Sequence, residues 1–277
     1  MVNIITDSTA DLGSALLSRY NIDTIPLYVI MQGKSFVDGT EINNTDLFKS
    51  VQETGQLPKT SAATIVGFQE LFGRPGEQIY IGISSQLSAT VRNAQIAAEQ
   101  IEPDKVHIID SLNLSSGIGL LALKAAQLRD AGVPAQEIAA RITAWVPKVR
   151  TAFVIETLDY LYKGGRCSAM QNLMASLLRI RPIIAVQPDG TLNVREKVRG
   201  SRAKALAALL NNVKADLQQI DPQHLFVTHT GCDADAQHLK QEILALSPTS
   251  EIHITTAGSV IASHCGPDTI GIIYLLK

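Results

Sequence analysis

The sequence predicts an α/β protein with a parallel-sheet domain followed by a mixed-sheet domain. Short apolar segments alternate with helical patterns in the first half of the chain, which is typical of a parallel sheet covered by helices. A hairpin signal interrupts this alternation in the second half. The chain has 277 residues, about two domains at ~150 residues each. We expect a three-layer domain over residues 1–150 and a second α/β domain over 151–277, with a boundary near Pro147.

In the first half, strands are predicted where apolar residues cluster and helices where Asp, Ser or Thr precede a helical pattern, because these residues cap helix N-termini. The strands are expected at residues 2–5, 25–30, 79–83 and 106–109, with a helix through Leu12, Leu16 and Leu17 and another that ends near Arg129.

A mixed sheet is predicted for the second half of the chain, because the turn sequence Pro188-Asp189-Gly190 joins two strand patterns into a hairpin. Gly164 and Gly165 are expected to end a short helix. The strands are expected at residues 151–156, 183–186, 192–198, 225–228, 252–255 and 270–276, and the helices at 158–162, 169–178, 203–220 and 234–246.

Hydroxyl-rich loops follow three of the predicted strands, at residues 6–11, 84–90 and 110–116. Such loops lie together at the carboxyl ends of parallel strands, where ligands bind in open sheets. A fourth cluster at residues 59–64 precedes an amphipathic segment. Two interpretations stay open: the hydroxyls only cap helices, or they and the helix N–H groups hold an anion.

Composition excludes several classes of partner. With 24 basic and 26 acidic residues, the chain has no overall field that would recruit nucleic acid or an anionic membrane. No apolar run approaches the ~18–20 residues of a membrane span. Three cysteines without paired spacing indicate a reducing cytoplasm.

Sequence motifs for common catalytic sites and cofactors are absent. There is no Walker A sequence, CxxC pair, HExxH or GxSxG, and the six histidines show no metal-ligand spacing, so neither a cofactor nor a metal site is expected. The G-x-G-x-x-A pattern at residues 117–122 lies inside a helical stretch, which favours close helix packing over dinucleotide binding.

Two further features point to function. His264 lies in a polar loop before Gly266-Pro267 and is either a hydrogen-bonded loop residue or part of a site. Nine basic and two acidic residues lie between Lys163 and Lys204. That local charge is either a solvated face or a surface for an acidic partner or a nucleotide's phosphates.

Six motifs in order resemble the DegV family of bacterial fatty-acid-binding proteins, and the resemblance spans essentially the whole chain. The motifs are TDSTADL at 6–12, PKTS at 58–61, ISSQLSAT at 83–90, LDYLYKGGR at 158–166, KVRG at 197–200 and HCGP at 264–267. The chain departs from the family's usual pattern at residues 62–64, at Ala89 and at Asp268.

The resemblance implies a two-domain α/β fold with one long-chain fatty acid buried in an apolar tunnel between the domains. It implies that a separate ATP-dependent kinase subunit of the dihydroxyacetone-kinase-like type converts this ligand to an acyl phosphate. The chain is then the carrier subunit of a bacterial fatty acid kinase and not an enzyme itself. By motif, the carboxylate ligands are Thr60, Ser61, Ser88 and His264, and the kinase contacts are Arg166 and Arg199.

Two other hypotheses stay open. The first is a serine-dependent hydrolase of acyl esters, with Ser88 or Ser61 as nucleophile and His264 as base; the missing GxSxG elbow counts against it. The second is an interaction module whose basic hairpin binds an acidic partner without any lipid.

Overall fold

The computed structural model describes residues 1–101, 103–167, 180–248 and 250–277. The helix predicted at 169–178 lies outside the described residues. The strands are β1 (Val2–Asp7), β2 (Ile22–Ile25), β3 (Tyr28–Met31), β4 (Lys34–Val37), β5 (Lys59–Ser61), β6 (Glu77–Gly82), β7 (Val106–Asp110), β8 (Val149–Val154), β9 (Ile180–Val186), β10 (Leu192–Arg199), β11 (Leu225–His229), β12 (Ile252–Thr256) and β13 (Ile270–Leu275). The α-helices are α1 (Gly13–Arg19), α2 (Asn44–Thr54), α3 (Ile65–Phe72), α4 (Thr90–Glu99), α5 (Ser116–Asp130), α6 (Ala135–Trp145), α7 (Asp159–Lys163), α8 (Arg202–Asp216), α9 (Asp233–Leu246) and α10 (Ser259–Cys265).

The first half forms a parallel sheet, as predicted, in the order β2-β1-β6-β7. The prediction of one strand over residues 25–30 is wrong. Proline has no N–H for a sheet ladder, and at Pro26 the chain leaves the parallel sheet: β2 ends at Ile25 and β3 begins at Tyr28. Strand β3 instead lies at the centre of an antiparallel sheet ordered β4-β3-β5, which was not predicted.

The second half forms the expected mixed sheet, in the order β10-β9-β8-β13-β11-β12. Among its described strands only β11 and β12 are parallel neighbours, and β9 and β10 form the predicted hairpin. Its turn is closed by a hydrogen bond from the Gly190 N–H to the Gln187 carbonyl at 2.9 Å. The helix predicted to end at 220 is shorter, because α8 ends at Asp216 and a 3-10 turn follows.

Helix α5 packs between the two larger sheets. It contacts β1 and β6 on one side and β8, β11 and β13 on the other. Every residue from 116 to 126 is buried, as expected for a helix covered on all sides. The only charge in that stretch is Lys124, whose ammonium is bound by Asp221 and Gln223 of the second half. One hydrophobic core therefore contains side chains from both halves of the chain, and the boundary at residue 150 stays a prediction.

The two helical glycines of α5 allow this close approach. A methyl group on Gly119 would lie 2.7 Å from the Ala10 carbonyl oxygen, and one on Gly117 would lie 2.1 Å from Asn113 Oδ1. The interpretation of this glycine pattern as helix packing is therefore confirmed. None of the helices in the described part of the chain is long and apolar enough to cross a bilayer.

Replacing Gly119 by alanine is expected to lower the free energy of unfolding by about 1–3 kcal/mol, because overpacking against fixed backbone is costly. Gly67→Ala in α3 is the matched control, since its new methyl group meets the movable end of Ile25 at 3.2 Å and alanine favours the helix. Urea denaturation of both variants is the measurement. Equal stabilities for the two variants would contradict the packing role of Gly119.

Candidate functional site

A cavity of about 340 Å³ lies between the first and second halves of the chain. Its walls are mostly aliphatic, and its polar side chains come from β5, the loop before α4, the segment after α7, and α10. The apolar lining residues are Leu27, Ala62, Ile83, Leu87, Ala89, Leu114, Leu161, Leu192, Val260, Ile261 and Cys265. The polar lining residues are Thr60, Ser61, Ser88, Arg166 and His264.

The structure thus brings together all four residues that the sequence resemblance implied as carboxylate ligands, although they are up to 204 positions apart in the chain. Thr60 and Ser61 reach the cavity because β5 pairs with β3. The loop after β5 is held by the Asn93 side-chain amide, which donates to the Ala63 carbonyl at 2.8 Å. Their role as carboxylate ligands stays a prediction.

His264 and Thr60 share a hydrogen bond of 2.8 Å between Nε2 and Oγ1. The Nδ1 atom of His264 is buried and has no hydrogen-bond partner among the described residues. Burying an N–H group without an acceptor costs free energy, so the neutral ring is more stable with its proton on Nε2. In that tautomer His264 donates to Thr60, and the Thr60 hydroxyl is left to donate its own proton into the cavity.

The imidazole of His264 is neutral at physiological pH. Burial, and then the positive charge of Arg166, lower its pKa from 6.5 to about 4. The cavity therefore offers neutral hydrogen-bond donors rather than an imidazolium charge.

His264 lies on helix α10 and not in the loop that the sequence predicted. Two buried aspartates fix this helix. The N–H of Gly258, the N-cap of α10, donates to Asp11 Oδ1 at 2.7 Å. The N–H of Val260 donates to Asp38 Oδ1 at 3.2 Å, and Ser8 donates to the other oxygen of Asp38 at 2.7 Å. Burial raises the pKa of both carboxyl groups. No sequence pattern indicates this role, because α10 lies more than 200 residues further along the chain.

A third buried aspartate, Asp7, anchors the strand end beside the cavity. It accepts hydrogen bonds from the Tyr80 hydroxyl at 2.8 Å and from the Ile83 N–H at 2.9 Å. Ile83 is itself a lining residue. The carboxylate of Asp7 is thus used to position the cavity wall.

The hydroxyl-rich loops divide into two kinds. Residues 84–90 and the cluster at 59–64 supply hydroxyls to the cavity, whereas loops 6–11 and 110–116 contribute no hydroxyl to its lining. The Thr9 hydroxyl donates to Asp7, the Ser115 hydroxyl donates to Asp11, and the Ser116 hydroxyl bonds to Thr228 and Thr255. In these two loops the hydroxyls are therefore used in hydrogen bonds within the fold, and the two interpretations stay open only for residues 84–90 and 59–64.

The geometry needed by the hydrolase hypothesis is not found among the hydrogen bonds of the described residues. Ser88 shares a hydrogen bond of 2.8 Å with the hydroxyl of Thr90, and the His264 Nε2 atom is engaged by Thr60. No nucleophile–base pair of Ser88 or Ser61 with His264 is formed in the described part of the chain.

The basic residues of the second half differ in their partners. Arg166 lines the cavity, is exposed, and donates to the carbonyl oxygens of Gly164 and Leu87 at 2.6 and 3.4 Å. Arg199 is exposed on β10 and does not line the cavity. Arg181 and Arg202 both pair with Glu156, at 2.7 and 3.2 Å. Part of the basic segment is therefore neutralised within the fold, and Arg166 and Arg199 remain at the surface.

A second cavity, of about 30 Å³, shares the lining residues Leu114, Ile261 and Cys265 with the first. It lies over the second sheet, against Phe153 and Ile273. Asp268 lines neither cavity.

The sheets define an α/β protein with an amphipathic cavity between the two halves of its chain. The chain belongs to the DegV family: the family profile, described as "Uncharacterised protein, DegV family", matches residues 1–277. A "Fatty acid-binding protein" of Thermotoga maritima is 30% identical over 279 residues, covering 98% of this chain and 96% of that protein.

Solved structures share the fold over the whole chain. A DegV family protein from Thermus thermophilus, solved for its fatty acid binding, superposes with a TM-score of 0.93 at 28% identity, covering 100% of this chain and 99% of that chain. The fatty acid kinase B3 protein of Streptococcus pneumoniae, solved with linoleic acid, superposes with a TM-score of 0.88 at 22% identity and covers 100% of both chains. Several DegV proteins are thus known to bind fatty acids.

The lowered pKa of His264 predicts a pH dependence of stability for the ligand-free protein. The unfolded chain takes up the proton near pH 6.5 and the folded chain only near pH 4. The free energy of unfolding should therefore fall as the pH is lowered through this window. Denaturant unfolding between pH 7.5 and 4.5 should show a shallower fall for His264→Gln than for the wild type. If the free energy of unfolding fell equally with pH in the two proteins, the buried His264 would not be the cause of the fall.

Proposed function

We propose that this protein binds one long-chain fatty acid, with the carboxylate at Thr60, Ser61, Ser88 and His264. The observation that carries the proposal is the cavity's chemistry, with hydroxyls, a neutral imidazole and the Arg166 guanidinium among otherwise apolar walls. The volume of about 340 Å³ is within the range of small-molecule sites, ~300–1,000 Å³. The fatty acid binding of the Thermus and Thermotoga relatives supports the same ligand class.

The acyl chain supplies most of the affinity. Burial contributes about 0.8 kcal/mol per methylene, so a C16 chain supplies on the order of 10 kcal/mol before the costs of binding. The smaller cavity at Leu114 and Ile261 continues in the direction of the second sheet. Rotation of these side chains would join the two spaces and give the tail a longer path.

The polar residues set the orientation of the ligand. The Thr60 hydroxyl, which is hydrogen-bonded to His264, can donate its proton to the carboxylate. The hydroxyls of Ser61 and Ser88 can donate to it as well. Neutral donors stabilise the anion without enclosing it in a buried salt bridge. A carboxylate oxygen held in this way keeps a lone pair for nucleophilic attack.

We further propose that the carboxylate is presented to a separate ATP-dependent kinase subunit of the dihydroxyacetone-kinase-like type. A carboxylate oxygen would attack the γ-phosphorus of ATP, forming an acyl phosphate while the bond to ADP breaks. This chain holds the substrate, and the partner supplies the phosphoryl donor and the catalytic groups. Arg166, at the surface beside the cavity, and Arg199 on the hairpin are the proposed contacts. Because the proposed partner uses ATP, a cytoplasmic location is part of this proposal.

Fatty acid binding is expected to weaken when the hydroxyl donors are removed. Thr60→Val should lower the affinity for palmitate or oleate by about tenfold to a hundredfold, since hydrogen bonds to a charged group contribute about 1.5–3 kcal/mol. Thr64→Val is the matched control, because Thr64 caps α3 and does not line the cavity. Titration with a fluorescent fatty acid is the measurement, after native mass spectrometry of the purified protein.

Absence of any copurifying fatty acid, together with no uptake of palmitate or oleate, would refute the proposal. A burst of product or a covalent acyl adduct with an activated acyl ester would favour the hydrolase instead.

The kinase contact has its own test. Arg199→Glu should leave fatty acid affinity unchanged, because Arg199 does not line the cavity, but should abolish acyl phosphate formation with the cognate kinase. Arg166→Glu should reduce both. Lys214→Glu, an exposed charge reversal on α8, is the control and should retain activity. Undiminished acyl phosphate formation by Arg199→Glu would show that this residue is not a kinase contact.

A further inference from the structure

A second cluster of chemically active side chains lies away from the fatty acid cavity, at the start of β11 and β12. His224 Nδ1 and His253 Nε2 are 3.1 Å apart. The carboxylate oxygens of Glu251 lie 3.9 Å from His224 Nδ1 and 3.8 Å from His253 Nε2. All three ligand atoms lie within 4.8 Å of one another, and none of these residues lines either cavity described above.

The parallel pairing of β11 and β12 creates this cluster. His253 is the register partner of Phe226, two residues after His224. The Leu225 N–H donates to the Glu251 carbonyl at 2.9 Å, which places Glu251 beside His224. The Phe226 ring, 4.8 Å from the His253 ring, packs against it. The spacing along the chain carries no metal signature, which is why the sequence predicted none.

We propose that His224, Glu251 and His253 bind one Zn²⁺ ion, with a water molecule as the fourth ligand. Two imidazoles and one carboxylate are a donor set that zinc accepts in tetrahedral geometry. Bonds of about 2.0–2.1 Å in that geometry separate two ligand atoms by about 3.3 Å. The two nitrogens are already 3.1 Å apart. The Glu251 side chain is 46% exposed, so it is free to move the remaining ~0.5 Å.

The hydrogen bond between the two rings determines which proton metal binding must move. His224 Nδ1 and His253 Nε2 face each other at 3.1 Å, so one of these two nitrogens carries the shared proton. Binding of an ion displaces that proton and leaves both facing lone pairs for the metal. The second nitrogen of His224 is 2.9 Å from the Gln127 side-chain amide. With the amide oxygen turned toward it, Gln127 accepts a proton on Nε2, which leaves the Nδ1 lone pair of His224 for the metal.

The neighbouring charges provide a test that is specific to metal binding. The Arg19 guanidinium lies 3.5 Å from Glu251 and competes with a cation for its carboxylate. The positive charge of Lys124 also acts on His224, and that of Lys240 acts on His253. Lys124 forms an ion pair with Asp221. Removing the competing charge by Arg19→Gln should therefore raise metal affinity, an effect that a purely structural histidine pair would not show.

The test uses the full-length protein, stripped with a chelator and dialysed. Zinc affinity is measured by competition with a chromophoric chelator, and Co²⁺ is added to record the visible absorption bands of tetrahedral cobalt. We expect one equivalent of metal, an affinity lower by about 100-fold or more in His253→Gln, and a higher affinity in Arg19→Gln. His253 is chosen over the fully buried His224 so that the variant folds, which circular dichroism confirms.

His238→Gln is the matched control, because His238 is exposed on α9 and is not in the cluster. Zinc should also raise the melting temperature of the wild type and of His238→Gln but not of His253→Gln, because a ligand of the native state stabilises it. The proposal would be overturned if the wild type bound zinc no more tightly than His253→Gln. It would also be overturned if His238→Gln lost as much zinc affinity as His253→Gln.

Discussion

The burial of α5 against both large sheets is the constraint on which the rest of the structure depends. A helix covered on two sides fixes the distance between the sheets, and the cavity lies in the space beside it, with Leu114 at the entry to α5 as one of its walls. The buried ammonium of Lys124 adds specificity, because a desolvated charge is stable only where its partners are in place. Those partners, Asp221 and Gln223, come from the other half of the chain.

The polar end of the cavity is held by carboxylates that do not enter it. Asp11 and Asp38 hold the start of α10, and the other end of that helix presents His264 to Thr60. Asp7 fixes the end of β6 beside Ile83. Carboxyl groups are thus placed in the supporting layer, and hydroxyls, an imidazole and the Arg166 guanidinium in the lining. None of the described lining residues is a carboxylate, which agrees with the anionic head group proposed above.

The sequence was sufficient to predict most of the elements, and family motifs pointed to four residues that line one cavity, for different physical reasons. Regular alternation of apolar and hydroxyl-rich segments is a local property, so the strands of the parallel sheet could be placed. The wrong prediction of one strand over residues 25–30 has a local cause as well, because Pro26 separates β2 from β3. Thr60, Ser61, Ser88 and His264 were found through motifs, and no pattern of spacing would have joined β5 to α10.

By itself, the sequence determined the α/β class, the hairpin, the absence of a long apolar segment and the motifs that mark the family. Tertiary structure alone decided which hydroxyls face the cavity and which are bound by Asp7 and Asp11. It also decided which arginines remain at the surface and that His224 and His253 meet. The physical reason is that a hydrogen bond or an ion pair depends on distance in space. Propensity and periodicity describe only neighbours along the chain.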